Sequence, residues 1–183
     1  MSVAPRRSIA GRKSGVMRAA HTDQGDITVR VATTADIDAL VRMRAALIRE
    51  HAGSPIYGRP RQDLEARAQT LFADQLADGD QACLVAERAG ATIGCLRVRE
   101  SRSSPLLLPS RYGYLSSAYV LPEERREGVL NILVEHALAW CRARGLVEVR
   151  LHVDAGNDGA ARAWDALGFT VAEHLRHRVL TDR

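Results

Sequence analysis

Apolar and polar positions along this chain follow two different periods, one typical of strands and the other of helices. Alternation and short apolar runs predict strands at 27–31, 82–86, 92–98, 112–121, 147–153 and 170–180. Apolar residues three and four positions apart predict helices at 37–48, 63–76, 129–144 and 158–167. The predicted element order is therefore β-α-α-β-β-β-α-β-α-β. This order predicts an α+β domain, in which helices flank a mixed and mostly antiparallel sheet.

The same pattern predicts which faces of these elements are buried. In the helix at 129–144, apolar residues lie on one face, and Gly145 follows as a stop signal. The helix at 63–76 is predicted to turn Leu71 and Phe72 inward. In the strand at 147–153, valine and leucine alternate with charged residues, which predicts that one face is wet or lines a site.

The formal net charge of +4 is unevenly distributed along the chain. Residues 1–25 contain five arginine or lysine residues and one aspartate, so this segment accounts for the whole excess. Its composition lacks an apolar period, which predicts a disordered basic tail at 1–25 and a folded domain at 26–183. Because the predicted domain has no net charge, its charge gives no reason to expect nucleic acid as a partner.

The cysteines and histidines give no indication of a metal site. Cys83, Cys95 and Cys141 each lie within an apolar pattern, and none has the spacing of a metal ligand set. We therefore expect three buried thiols, no metal, and a reducing cytoplasmic location. No apolar run approaches the roughly 20 residues of a membrane-spanning helix, so no membrane association is expected.

A glycine-bearing basic turn between the strand at 112–121 and the next helix is the most informative local feature. It begins at Pro122, contains Arg125 and Arg126, and ends at Gly128, where the helix starts. Free N–H groups and the positive end of the helix dipole meet at such a turn, which is a favourable place for phosphate. Asn157, at the start of the following helix, is predicted to lie beside the same site.

Two motifs in this region resemble those of the GNAT superfamily of acyl-CoA-dependent N-acyltransferases. The first is Val-Leu-Pro at 120–122, followed by Arg-Arg-Glu-Gly-Val-Leu at 125–130. The second combines Asn157 and Ala160 with Gly168-Phe169 in the family's register. The order of elements also matches the family over residues 26–180. The resemblance implies a GNAT-like fold and acetyl-CoA as cosubstrate.

The resemblance also implies roles for individual residues. Coenzyme A would lie along the residues Ala118, Tyr119, Val120, Arg125, Arg126, Glu127, Gly128, Val129, Leu130, Asn157 and Trp164. In the family, the strand before the turn carries a bulge and splays from the next parallel strand. Its backbone would then pair with the pantetheine amides, as a peptide pairs with a sheet edge. Acetyl transfer would occur directly in a ternary complex with the amine acceptor.

The chain departs from the family pattern at three positions. Leu130 replaces a small residue of the cofactor turn, although its helical period suggests that it simply turns into the core. Trp164 replaces the tyrosine often credited with protonating the thiolate, and an indole N–H is not a general acid near neutral pH. Ser116 and Ser117 occupy the place of the usual acidic base, where a serine could only hold a water that relays the proton.

The proton acceptor is therefore left open at this point. His152 is the best placed replacement, with Ser116 as the holder of a relaying water. Glu50, His51 and Asp154 are further candidates. A dedicated base is not obligatory, because an acceptor amine of low pKa can lose its proton before it binds.

Two functions follow as alternatives. The first is an N-acetyltransferase that modifies a primary amine of a small molecule or a protein; the second is an acyl-CoA-binding sensor with little or no transfer activity. The segments at 50–61 and 101–111 are expected to shape the acceptor site. Leu106, Leu107 and Leu108 could form an apolar wall or a subunit contact, and a homodimer is the expectation that the resemblance provides. The serines give no support to a polycationic acceptor such as an aminoglycoside.

Overall fold

The computed structural model describes residues 26–180, and the predicted basic tail at 1–25 lies outside the described residues. The elements are β1 Thr28–Val31, α1 Ile37–Glu50, α2 Leu64–Ala77, β2 Gln81–Arg88, β3 Ala91–Arg102, β4 Arg111–Val120, α3 Val129–Ala143, β5 Val149–Arg150 and α4 Asp158–Ala166. Short 3-10 helices at Thr34–Asp36 and Pro122–Glu124 precede α1 and α3. The predicted α+β class is confirmed, with helices on both faces of a mixed sheet.

Within residues 26–180 the strands form one five-stranded sheet in the order β1-β2-β3-β4-β5. The first three pairings are antiparallel, and β4 pairs with β5 in parallel. Two apolar clusters cover the two faces. One places Leu133 and Val134 of α3, with Trp164 of α4, against one face, and the other places Leu40 of α1 and Phe72 of α2 against the opposite face. The sheet therefore has an α3 face and an α1/α2 face.

Strand β4 contains a bulge in its pairing with β3. Cys95 of β3 pairs with Tyr119, and Arg97 pairs with Ser116, so β4 has one residue more than β3 over this interval. The extra length is taken up at Ser117, whose φ of +53° is left-handed. Before the bulge Leu115 packs in the α3 cluster, and after it Tyr119 packs in the α1/α2 cluster.

A buried carboxylate fixes the start of the first helical segment to the sheet. Asp36 is 6% exposed and accepts hydrogen bonds from the Thr33 N–H at 2.7 Å and the Thr33 hydroxyl at 3.1 Å. Its two oxygens also accept from the two terminal nitrogens of Arg30, each at 2.8 Å. Arg30 in turn pairs with Glu87 of β2. The hydrogen bond from Arg30 is the largest cause that lowers the pKa of Asp36 to about 2, and Thr33 adds to it.

Periodicity misplaced the ends of the chain's last two strands and one face of α2. The strand predicted at 147–153 is reduced to Val149–Arg150, and residues 170–180 form no strand and are all exposed. Their apolar residues alternate, but β5 covers only two residues, so it offers little ladder for another strand to join. Leu71 is 48% exposed, because α2 turns Ala68 and Phe72 to the core instead.

The three cysteines are free and buried, as predicted. Burial raises the pKa of Cys83 and Cys141 to about 11 and that of Cys95 to about 12. Over the part of the chain that the structure describes, no group of histidine, cysteine and acidic side chains could hold a metal ion. None of the helices described between residues 26 and 180 has the length and apolar character needed to cross a membrane.

Candidate active site

The candidate site is a cleft that opens where β4 and β5 separate. Their parallel pairing covers only Gly113 with Val149 and Tyr114 with Arg150. Beyond Tyr114, β4 continues to Val120 while the chain after β5 leaves the sheet, so one edge of β4 is left without a partner strand. A cavity of about 340 Å³ lies here, on the α1/α2 face of the sheet. It collects side chains from α1, α2, β3, β4, α4 and the segment after β5.

The predicted phosphate turn has the backbone geometry that an anion site needs. Arg126 and Gly128 both adopt left-handed conformations, with φ of +70° and +78°. Gly128 is the N-cap of α3, and a Cβ built on it would have no described atom within 4 Å. The N–H groups of Val129 and Leu130 form no well-aligned hydrogen bond with another described residue. The turn therefore presents free donors and the positive end of α3 to open space.

Leu130 does not disturb this turn. It is half-buried and packs against the α3-face cluster, as its helical period predicted. Glu127, Val129 and Leu130 thus contribute backbone to the turn, while the Val129 side chain is 1% exposed and lies in the core. The departure from a small residue at position 130 consequently leaves the outer side of the turn open.

Arg125 is engaged with α1. Its Nη2 donates to both carboxylate oxygens of Glu50, at 2.7 and 2.9 Å, and its Nε donates to the carbonyl of Val120 at 3.0 Å. Its guanidinium also lies 5.4 Å from the ring centre of Tyr119, whose hydroxyl donates to Glu50. Burial, followed by the hydrogen bond to Glu50, raises the pKa of Tyr119. Glu50 therefore braces the end of β4, and both of its oxygens already accept hydrogen bonds.

Asn157 lies at the edge of the cavity and connects two helices. Its side-chain oxygen accepts from the Ala160 N–H at 2.9 Å and so caps α4. Its amide nitrogen lies 3.1 Å from Nε2 of His51, and Nδ1 of His51 lies 2.8 Å from the carbonyl of Leu47. A hydrogen on Nδ1 satisfies both contacts, so this histidine has its Nε2 lone pair occupied.

His152 lines the cavity beside Tyr114, a residue that the sequence pattern did not predict as part of the site. The hydroxyl of Tyr114 lies 2.6 Å from Nδ1 of His152, and both side chains line the cavity. Burial is the main cause that raises the pKa of Tyr114, so its phenol stays protonated near neutral pH. Tyr114 precedes Ser116 by two positions on the same strand, and this period-2 spacing could have identified it.

The remaining predicted residues divide between the cavity and the core. Ser116 and Ala118 line the cavity beside the bulge. Trp164 is 8% exposed, packs edge-on against Phe169 with ring centres 5.3 Å apart, and presents only part of its surface to the cavity. Asp154 also lines the cavity, and hydrogen bonds from the Ser54 side chain and then the Gly156 N–H lower its pKa.

Of the two segments expected to shape the acceptor site, 50–61 lines the cavity and 101–111 does not. His51 and Tyr57, within 50–61, line the cavity as expected. The loop at 101–111 contributes none of the described lining residues. Leu106, Leu107 and Leu108 are 91%, 59% and 91% exposed at its tip, so they do not form a wall of this cavity.

Comparison with known proteins agrees with this geometry. The family model described as the acetyltransferase (GNAT) family matches residues 45–169. Mycothiol acetyltransferase of Thermobispora bispora is 33% identical over 112 residues, which cover 60% of this chain and 35% of that protein. Aminoglycoside N(6')-acetyltransferase type 1 of Klebsiella aerogenes is 36% identical over 63 residues, covering 34% of this chain and 41% of the relative. The chain thus spans about a third to two fifths of these relatives.

Solved structures show the same fold. The aminoglycoside N-acetyltransferase AAC(6')-Iy in complex with CoA has a TM-score of 0.71 at 18% identity, covering 87% of this chain and 99% of that one. A predicted acetyltransferase with acetyl-CoA from Clostridium acetobutylicum has a TM-score of 0.68 at 18% identity, covering 84% and 96%. The splayed strands, the turn before α3 and the family match over most of the chain together place this protein in the acetyltransferase (GNAT) family.

Proposed function

We propose that this protein transfers an acetyl group from acetyl-CoA to a primary amine in a ternary complex. The observation that carries the proposal is the combination of a bulged, unpaired β4 edge with the left-handed turn at the start of α3. An extended amide-bearing arm can pair with the first, and a pyrophosphate can bind the second. Two solved structures with this fold contain acetyl-CoA or CoA, which supports the same cosubstrate here.

The backbone supplies most of the binding groups in this proposal. The N–H groups of Val129 and Leu130 hold the pyrophosphate at the positive end of α3, and Arg126 adds a nearby positive charge. Ala118 and Val120 present backbone along the open edge of β4. Asn157 and the exposed part of Trp164 close the opposite side of the cleft. Acetyl-CoA itself supplies the activated thioester.

Transfer exchanges a C–S bond for a C–N bond, so one proton must leave the amine and another must reach sulfur. His152 is the proposed proton acceptor, because it lines the cavity and its ring is held by Tyr114. Ser116 is proposed to hold a water between the amine and His152. The indole of Trp164 cannot give a proton to the departing sulfur, so the protonated phenol of Tyr114 is the proposed proton donor in the cavity.

Titration calorimetry with acetyl-CoA, followed by measurement of CoA release with a panel of amines, tests this proposal. Gly128→Asp should weaken acetyl-CoA binding at least tenfold, because it places a negative charge at the phosphate turn. Gly128→Asn is the matched control, since asparagine has the same shape and tolerates the left-handed conformation. Equal affinities for the two variants would show that the phosphates bind elsewhere.

The same measurements separate the alternative function, an acyl-CoA sensor with little transfer activity. A sensor would bind acetyl-CoA with the same dependence on Gly128 but release no CoA with any amine. The Tyr114–His152 pair favours the enzyme, because a sensor would not require two titratable side chains in contact within the cavity.

A further inference from the structure

Two arginines line the cavity without a carboxylate partner. Arg44 extends from α1 and Arg97 from β3, and both are half-buried at the wall of the cavity. Neither forms an ion pair with any residue between 26 and 180. Arg49 and Arg125, by contrast, each pair with a glutamate.

The two side chains converge on the bulge of β4. Nη1 of Arg44 lies 3.4 Å from the hydroxyl oxygen of Ser117, and Nη1 of Arg97 lies 3.4 Å from that of Ser116. Arg97 also donates from Nε to the side-chain oxygen of Gln81 at 2.6 Å. All three acceptors are neutral, so hydrogen bonds fix the positions of the guanidinium groups without neutralising their charge.

In the free protein, this arrangement disfavours the positive charges of the two guanidinium groups. Burial is the main cause that lowers the pKa of Arg97, and the positive charges of Arg99 and Arg44 act in the same direction. Two like charges at one partly buried site raise each other's electrostatic energy, and a bound anion would offset that cost. A planar guanidinium pair also matches the geometry of carboxylate or phosphate oxygens.

We propose that the acceptor is an amine that also carries an anionic group, a carboxylate or a phosphate, which Arg44 and Arg97 bind beside the bulge. This inference rests on the proposed function, because it specifies which amines the transferase accepts. The cavity also carries a negative charge: Asp154 lines it, together with His51 and His152. The arginines hold the anion, and the amine is directed toward Asp154 and His152.

The same charge distribution disfavours polycationic acceptors such as the aminoglycosides for which some relatives are named. A polycationic acceptor would bring its charges against two arginines while a single lining carboxylate, Asp154, attracts it within the described cavity. We therefore expect aminoglycosides to be poor acceptors compared with anionic amines of similar size.

The experiment uses matched acceptor pairs with saturating acetyl-CoA. Amino acids are compared with their amides, amino-sugar phosphates with the free amino sugars, and a polycationic aminoglycoside is included. We expect kcat/KM to be at least tenfold higher for the anionic compound than for its uncharged counterpart, either in the carboxylate pairs or in the phosphate pairs. The type of pair that shows this difference identifies the anion. Arg44→Gln and Arg97→Gln should each remove most of this preference. High salt should also weaken the preference, because it screens the attraction between the arginines and the anion.

Controls separate this inference from the proposed function. Arg42→Gln, an exposed change on the same helix, should keep the preference. Acetyl-CoA affinity should stay within about twofold in Arg44→Gln and Arg97→Gln, and a larger loss would assign the arginines to the cosubstrate and overturn the inference. Turnover of neutral or polycationic amines without an anionic preference would also overturn it while leaving the transferase intact. If no amine is turned over, titration of the same pairs into CoA-saturated protein decides whether an anion binds, and equal affinities within every pair would overturn the inference.

Discussion

Replacing Asp36 by asparagine should remove the electrostatic anchor between the first helical segment and the sheet. The substitution keeps the shape of the side chain but removes its charge. It also presents an NH₂ group where one oxygen now accepts from Arg30 or Thr33. Because the side chain is nearly fully buried, water cannot replace the hydrogen bonds that are lost.

The structure allows the size of this effect to be worked out. The pKa of Asp36 falls from 3.8 to about 2 on folding, which corresponds to roughly 2.5 kcal/mol of stability at neutral pH. Since the folded pKa is the lower one, this contribution is complete well above pH 4 and is lost as the pH falls through about 2. Asp36→Asn should therefore lower the free energy of unfolding at pH 7 by about 2–4 kcal/mol, the upper end including the mismatched amide.

Urea unfolding followed by tryptophan fluorescence measures this directly, because Trp164 is buried in the core. The gap between wild type and Asp36→Asn should narrow by about 1 kcal/mol between pH 5 and pH 3, as the wild type alone loses the contribution of Asp36. Asp38→Asn, an exposed change in the first turn of α1, serves as the control and should cost less than about 0.5 kcal/mol. A gap that is the same at both pH values, or an equal cost for Asp38→Asn, would refute the reasoning.

Two further predictions concern packing and proton transfer. Gly113→Ala should destabilise the protein by about 1–3 kcal/mol in the same unfolding assay, because its Cβ would overlap the sulfur of Cys141 in α3. Gly79→Ala, with open space around its Cβ, should be close to neutral, and equal costs for both would contradict the close approach of β4 to α3. In steady-state kinetics, His152→Gln should lower kcat about 10–100-fold, because the proposed proton acceptor is lost. Tyr114→Phe should lower kcat by a smaller factor, and unchanged kcat in both variants would exclude the pair from proton transfer.

The elements that the sequence pattern predicted well are those whose stability depends on neighbours close in the chain. The helix from Val129 and the hairpin of β2 and β3 match their predicted positions closely, because periodicity and turn residues act over a few positions. The signal for the turn at Gly128 also lies within a few neighbouring positions. The strand predicted at 170–180 failed for the opposite reason, since alternation marks a sequence that can form a strand but does not supply a partner for it.

The site was harder to predict, because its side chains meet only through long-range contacts. Arg44 and Ser117 are 73 positions apart, and His51 and Asn157 are 106 positions apart. No residue-level pattern indicated the left-handed Ser117, because the position carries no glycine or asparagine. Asn157 was predicted as a site residue from its motif, but its contact with His51 depends on how α1 packs against the rest of the domain.

The bulge in β4 separates the requirements of the cleft from those of the two cores. Ser116 lies opposite Arg97 and Ala118 packs toward the α3 face, so these two positions already alternate as they would if Ser117 were absent. Deleting Ser117 would therefore restore a regular strand, with Ala118 opposite Leu96, and would leave Tyr119 and Val120 on their present faces. Such a deletion would keep the packing pattern of both cores and remove only the left-handed residue that interrupts the ladder between β3 and β4 beside the cavity. During divergence, the presence of this one residue is therefore set by the site and not by the core.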